Sequence, residues 1–176
     1  MLKKAFLAAM ISTTLFISFA SQVFAEKAVA IVQGTTGQSL IVGKVYFEDT
    51  SGGLKVNADL VSLPAGKHGF HIHEFGDCSD QAKAAGGHFN PDGAHHGFLP
   101  KDGLENAHAG DLGNIEIAKD GTGKLETTIP GLALSTGKHN VAGRAVIVHE
   151  KEDDFGQPVG NAGSRIGCGS IQITGK

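Results

Sequence analysis

Apolar and polar side chains alternate in short runs along most of this 176-residue chain, the two-residue period of strands that bury one face. Such runs lie at 27–33, 40–48, 54–61 and 69–74, then at 114–118, 124–129, 144–149 and 170–174. Gly, Asp, Asn and Pro bound them, and no long stretch repeats at the helical period. Residues 50–53 and 120–123 have the composition of hairpin turns. About eight strands at this spacing predict an all-β antiparallel sandwich or barrel. Two segments break the rhythm. Residues 75–112 are rich in Gly, His and Asp, and residues 150–167 in Asp and Gly; irregular stretches this long inside a compact domain are usually functional. There is no internal repeat and no sign of a second domain.

The first residues depart from this pattern. Lys3 and Lys4 precede an apolar run from Ala5 to about Ala20, and small residues lead up to Ala25 and Glu26. That is the layout of a secretory signal peptide, residues 1–25, cleaved after Ala25. An uncleaved anchor is the alternative, but the run is shorter than the roughly 20 residues a spanning helix needs. Residues 26–176 then make one domain of ordinary size. The leader carries two Lys and no acid, so cleavage leaves 13 basic against 18 acidic residues, a formal charge of −5. Such a surface, with no basic patch among aromatics, predicts no nucleic-acid partner and, once cleaved, no membrane attachment. Cys78 and Cys168 are the only cysteines. An even pair in an exported chain predicts one disulfide, with free or metal-binding thiols as the rival reading.

Nine histidines are many for a chain this size, and most fall in loops or at strand ends. His71 and His73 are two apart in a predicted strand, so their rings share a face while Phe70 and Ile72 turn to the core. His88, His95 and His96 lie in the first long loop, His108 and Asp111 form an H-x-x-D near its end, and His149 closes an apolar strand. Neutral imidazole is a common ligand of zinc and copper. Three His with one Asp suit a closed zinc site, and all-imidazole coordination suits Cu(II). The spacing supports at least one transition-metal site and supplies donors for two, without saying which His holds which ion.

The segments 69–76 (GFHIHEFG), 87–91 (GHFNP), 108–114 (HAGDLGN), 148–154 (VHEKEDD) and 160–169 (GNAGSRIGCG) carry these residues. Through them, and over nearly all of 26–176, the chain resembles the copper–zinc superoxide dismutase family, which shares the immunoglobulin-like sandwich architecture. The resemblance implies an eight-stranded Greek-key sandwich or barrel with two long functional loops. It implies one copper per chain, held by His71, His73, His88 and His149, and one zinc, held by His88, His96, His108 and Asp111. His88 would bridge the two. His96 fits better than His95 because it lies eight residues after His88 and precedes Gly97. Asp153 matches the carboxylate that links a copper histidine to a zinc histidine, fixing both rings. Arg165 matches the anion-guiding arginine beside the copper, and with His88 makes the implied catalytic pair. The implied reaction is disproportionation of superoxide to oxygen and hydrogen peroxide, an antioxidant defence outside the cytoplasm, in the bacterial periplasm.

The chain departs from the family pattern in two places. Arg165 follows His149 by only sixteen residues, and Phe155-Gly156-Gln157-Pro158-Val159 carries none of the Glu and Lys of the longer loop in the cytosolic eukaryotic enzymes. Cys78 follows His73 by five residues, as in the bacterial secreted branch, whereas the spacing from His73 to His88 resembles the eukaryotic one. The branches dimerise through different faces and some members are monomers, so homodimer and monomer both stay open. His68 is expected to be a hydrogen-bonded structural residue, and His95 and His139 surface residues. Two rivals remain: a non-enzymatic relative, which would lack copper ligands or the arginine, and a zinc-only exported binding protein, which would leave His71, His73 and His149 incidental.

Overall fold

The computed structural model describes residues 25–37, 40 and 42–175, so the predicted leader lies outside the described residues except for Ala25. Eight strands follow one another: β1 (Lys27–Gly34), β2 (Val42–Thr50), β3 (Gly53–Val61), β4 (Gly66–His73), β5 (Asp111–Ile117), β6 (Gly123–Ile129), β7 (Ala145–His149) and β8 (Arg165–Gly175). They close into a barrel in the order β1-β2-β3-β6-β5-β4-β7-β8. Every pairing is antiparallel. The chain leaves β3 for β4 on the far side and returns to pair β6 with β3, which is the Greek-key crossing. The all-β, eight-stranded expectation holds, and closure through β1 and β8 leaves no open sheet edge.

Alternation builds the barrel interior. In β3, Leu54, Val56, Ala58 and Leu60 are fully buried, and the residues between them face outward. Phe47, Phe70, Ile72, Ile115 and Ile171 join the same core. Each buried Val, Leu, Ile and Phe among them contributes about 1.5–3 kcal/mol by leaving water.

Strand ends differ from the sequence reading where glycine hides them. β8 begins at Arg165, inside the predicted loop 150–167. Gly167 and Gly169 weaken the strand signal, yet a side chain at Gly169 would strike the Ile31 carbonyl of β1. β5 begins at Asp111, so the candidate metal-ligating carboxylate stands on a strand and not in a loop. Residues 74–110 also hold a short 3-10 turn (Lys83–Ala85) and one α-helical turn, α1 (Leu99–Asp102); single turns carry no periodic signal. This loop is anchored by Phe89, Leu99, Ala107 and Ala109 in the core and by the Cys78–Cys168 disulfide, which ties it to β8 as the cysteine count predicts. Among the described residues no helix is long and apolar enough to cross a membrane.

Candidate metal centre

Pleating sorts β4 into two faces. Phe70 and Ile72 enter the core, and His71 and His73 point to the other side with ring centroids 6.5 Å apart. β7 pairs with β4 through Phe70↔Val148 and Ile72↔Val146, which carries His149 to 4.9 Å from the His71 ring. His88 arrives from the loop. It forms an isolated bridge to His73, and its ring lies 4.2 Å from that of His71. These four buried histidines offer ligand nitrogens within 4.8 Å of one another.

Three of these rings have one nitrogen committed and one left over. His73 Nδ1–H donates to the Gly86 carbonyl at 3.0 Å, His149 Nδ1–H to the Gly163 carbonyl at 3.2 Å, and His71 Nε2–H to Asp153 Oδ2 at 2.9 Å. These acceptors place the ring proton on the bonded nitrogen. The other nitrogens, His73 Nε2, His149 Nε2 and His71 Nδ1, are buried with no hydrogen-bond partner. Leaving buried acceptors unpaired is costly, and three aimed at one small space suit a cation there. Burial, then the neighbouring His88, pushes His73 down to about 2; burial, then His71, pushes His149 down to about 3. Both are therefore neutral, the form that ligates a metal.

The second group is built around Asp111. Nδ1 of His88, His96 and His108 lies 2.8, 2.8 and 3.1 Å from its carboxylate, which also accepts the backbone N–H groups of Gly97 and His108 at 3.0 Å. Burial alone would raise this carboxyl, but the bonds from His108, His88 and His96 outweigh it and hold the group well below the usual carboxylate range. His88 belongs to both groups. Its two nitrogens point away from each other, so with Nδ1 at Asp111, Nε2 is left for the first group. Asp153 joins the groups along a second path, its Oδ2 2.9 Å from both His71 Nε2 and His96 Nε2. Burial would lower His96, yet hydrogen bonds to Asp111 and Asp153 push it up to about 9.

Arg165 opens β8 directly opposite His149 on β7. Its guanidinium donates to the Ala82 carbonyl and, at 2.6 Å, to the Gly86 carbonyl. The Ala82 carbonyl is presented by an unusual turn in which Asp80, Gln81 and Ala82 all have positive φ (50°, 54° and 61°), a conformation that costs non-glycine residues about 1–2 kcal/mol each. Arg165, His73, His88, His149 and Val159 line a cavity of about 220 Å³.

The sequence profile described as copper/zinc superoxide dismutase (SODC) matches residues 41–171. The chain belongs to the copper/zinc superoxide dismutase family. It is 44% identical, over 138 residues, to the extracellular Cu-Zn superoxide dismutase of Caenorhabditis elegans; the match covers 74% of this chain and 61% of that protein. The crystal structure of the clock protein EA4 superposes with a TM-score of 0.75 at 34% identity, covering 91% of this chain and all of that one. The donor sets fit the two ions of a copper/zinc superoxide dismutase. Four imidazoles suit copper, and three imidazoles with one carboxylate suit a closed zinc site.

The remaining histidines lie apart. His68 is buried, with Nδ1 2.8 Å from the His149 carbonyl and Nε2 2.9 Å from the Pro64 carbonyl, so it fastens the turn before β4 to the end of β7. His95 and His139 line a separate surface cavity, and His139 pairs with Asp92, which also takes Lys138. Two further contacts were not visible in the sequence. Asn114 holds the Asp153 peptide through both its backbone groups, at 2.8 and 2.9 Å; its place in the 108–114 motif was the available signal. Gly160, at φ +73°, passes so close to Asp153 Oδ1 that any side chain there would clash.

Proposed function

We propose that the protein disproportionates superoxide, taking two anions and two protons to one oxygen and one hydrogen peroxide, as an exported copper–zinc enzyme. One observation carries the reading: three buried imidazole nitrogens without partners face the same space as His88, whose other nitrogen is engaged by a second, carboxylate-centred group. His71, His73, His88 and His149 would hold one copper, and His88, His96, His108 and Asp111 one zinc. When bound, copper supplies one-electron redox chemistry, and zinc, which has none, supplies fixed charge.

The side chains account for the rest. Backbone carbonyls and Asp153 fix the tautomers of His73, His149 and His71, which orients each ligating lone pair. His88 lines the cavity, and Nε2, the nitrogen not engaged by Asp111, is where a proton for the departing peroxide would be held whenever that lone pair is not given to copper. Residues 26–176 carry a formal charge of −5, which repels superoxide at long range. Arg165 is the one cationic side chain lining the cavity among the described residues, so it supplies the local positive field there; superoxide dismutases are a standard example of such steering. The signal-peptide layout of residues 1–25, the disulfide and the extracellular nematode relative support export, and the position of Cys78 favours the bacterial periplasm.

The test loads the protein with copper and zinc and pairs metal analysis with a superoxide assay. One copper and one zinc per chain with cyanide-sensitive dismutation is the expected result. Zinc alone, with no activity after copper loading, contradicts the reading.

A further inference from the structure

Residues 150–164 form a short loop, and besides Asp153 and Phe155 a further side chain in it, Gln157, reaches the zinc-side group without being a candidate ligand. The backbone N–H of His96 donates to Gln157 Oε1 at 3.1 Å, and Gln157 Nε2 donates to the His96 carbonyl at 2.8 Å. His96 lies in neither strand nor helix, and neither its N–H nor its carbonyl makes a backbone–backbone hydrogen bond among the described residues. The Gln157 carboxamide therefore satisfies both peptide groups flanking the His96 Cα, as a neighbouring strand would. Asn114 grips the Asp153 peptide in the same way. The contact between the His96 ring and the Asp153 carboxylate is thus held at both ends by a carboxamide from the opposite segment.

Phe155 supports the same contact. Its ring stacks on His96 with centroids 6.2 Å apart and planes at 26°, and its N–H donates to Asp153 Oδ1 at 2.9 Å. Its φ of +58° is strained for an aromatic residue, so this tight turn persists only because its surroundings hold it.

We propose that Gln157 is a positioning residue for the zinc site, fixing the His96 main chain so that Nδ1 meets Asp111 while Nε2 meets Asp153. The proposal rests on the reading that His96 ligates zinc. A short loop has little chain with which to brace the zinc ligands; two hydrogen bonds to one ligand's peptide provide that brace directly. Partners of this kind typically change metal affinity by roughly 10–100-fold when removed.

The test compares wild-type protein with Gln157→Met, which keeps length and bulk but removes both hydrogen bonds, and with Gln157→Ala. All are loaded with copper and zinc, and zinc release into a chromogenic chelator is timed. Cobalt is also placed in the zinc site and its visible absorption recorded. Release about ten-fold faster in both variants, with a shifted cobalt band and unchanged copper content, is expected. Acceleration above about three-fold supports the role and anything smaller overturns it, as does an unchanged cobalt band. Copper content and the intact disulfide report that each variant has folded, and the Met variant separates lost hydrogen bonds from lost volume. A wild-type protein that binds copper but no zinc would instead overturn the zinc assignment itself.

Discussion

The four-imidazole group proposed for copper stands mainly on strands, with His71 and His73 on β4 and His149 on β7, whereas the carboxylate-centred group proposed for zinc takes His88, His96 and His108 from the long loop and only Asp111 from a strand. The satisfaction of their polar atoms differs in parallel. On the copper side the barrel and nearby carbonyls fix the rings and leave three lone pairs unpaired. On the zinc side the rings face one another across a buried carboxylate that each of them touches. The first half is shaped by the sheet. The second is shaped by its own charges and by ties from neighbouring segments, so it is the half that substitutions outside the ligand set will loosen.

The largest expected effect comes from cutting the strongest of those ties. Replacing Cys78 and Cys168 together by Ser reopens a loop spanning 90 residues. Chain entropy predicts a loss of roughly 4.6 kcal/mol, read from denaturant unfolding of the metal-free protein. A loss below about 1 kcal/mol would mean that the loop is braced chiefly by its own packing.

Asp111→Asn comes next. Removing the central carboxylate leaves three rings without their shared acceptor, and zinc affinity should fall by more than the roughly 100-fold that marks the upper end for outer partners. Copper binding, measured by titration, should weaken far less; equal losses of both would erase the distinction between the halves. Asp153→Asn should weaken zinc binding by about 10–100-fold, because it withdraws the carboxylate from His96 Nε2, while the strand-borne His71 keeps copper. Arg165→Ile should leave both metals in place, lower kcat/KM by roughly ten-fold and remove most of its dependence on ionic strength. Unchanged activity would mean that the source of steering lies elsewhere.

The copper half was the more legible in sequence, for the same physical reason that makes it rigid. A two-residue period in the run containing Phe70, His71, Ile72 and His73 says which rings share a face; in the other group only the H-x-x-D of His108 and Asp111 is as local. The family resemblance supplied the partition of ligands between ions, which spacing alone left open. What stayed hidden depends on contacts between distant segments. Gln157 meets His96 across 61 residues, and the start of β8 at Arg165 is masked by glycines that the close approach of β1 and β7 requires. The left-handed turn Asp80-Gln81-Ala82 contains no glycine or asparagine to announce it.

Anomalous diffraction at the copper and zinc absorption edges, from crystals of the metal-loaded protein, tests the two-part centre most directly. The account predicts a copper peak enclosed by His71 Nδ1, His73 Nε2, His88 Nε2 and His149 Nε2, and a separate zinc peak enclosed by the Nδ1 atoms of His88, His96 and His108 and the Asp111 carboxylate. A single peak shared by all seven residues, or copper lodged between His96 and Asp153, would contradict it.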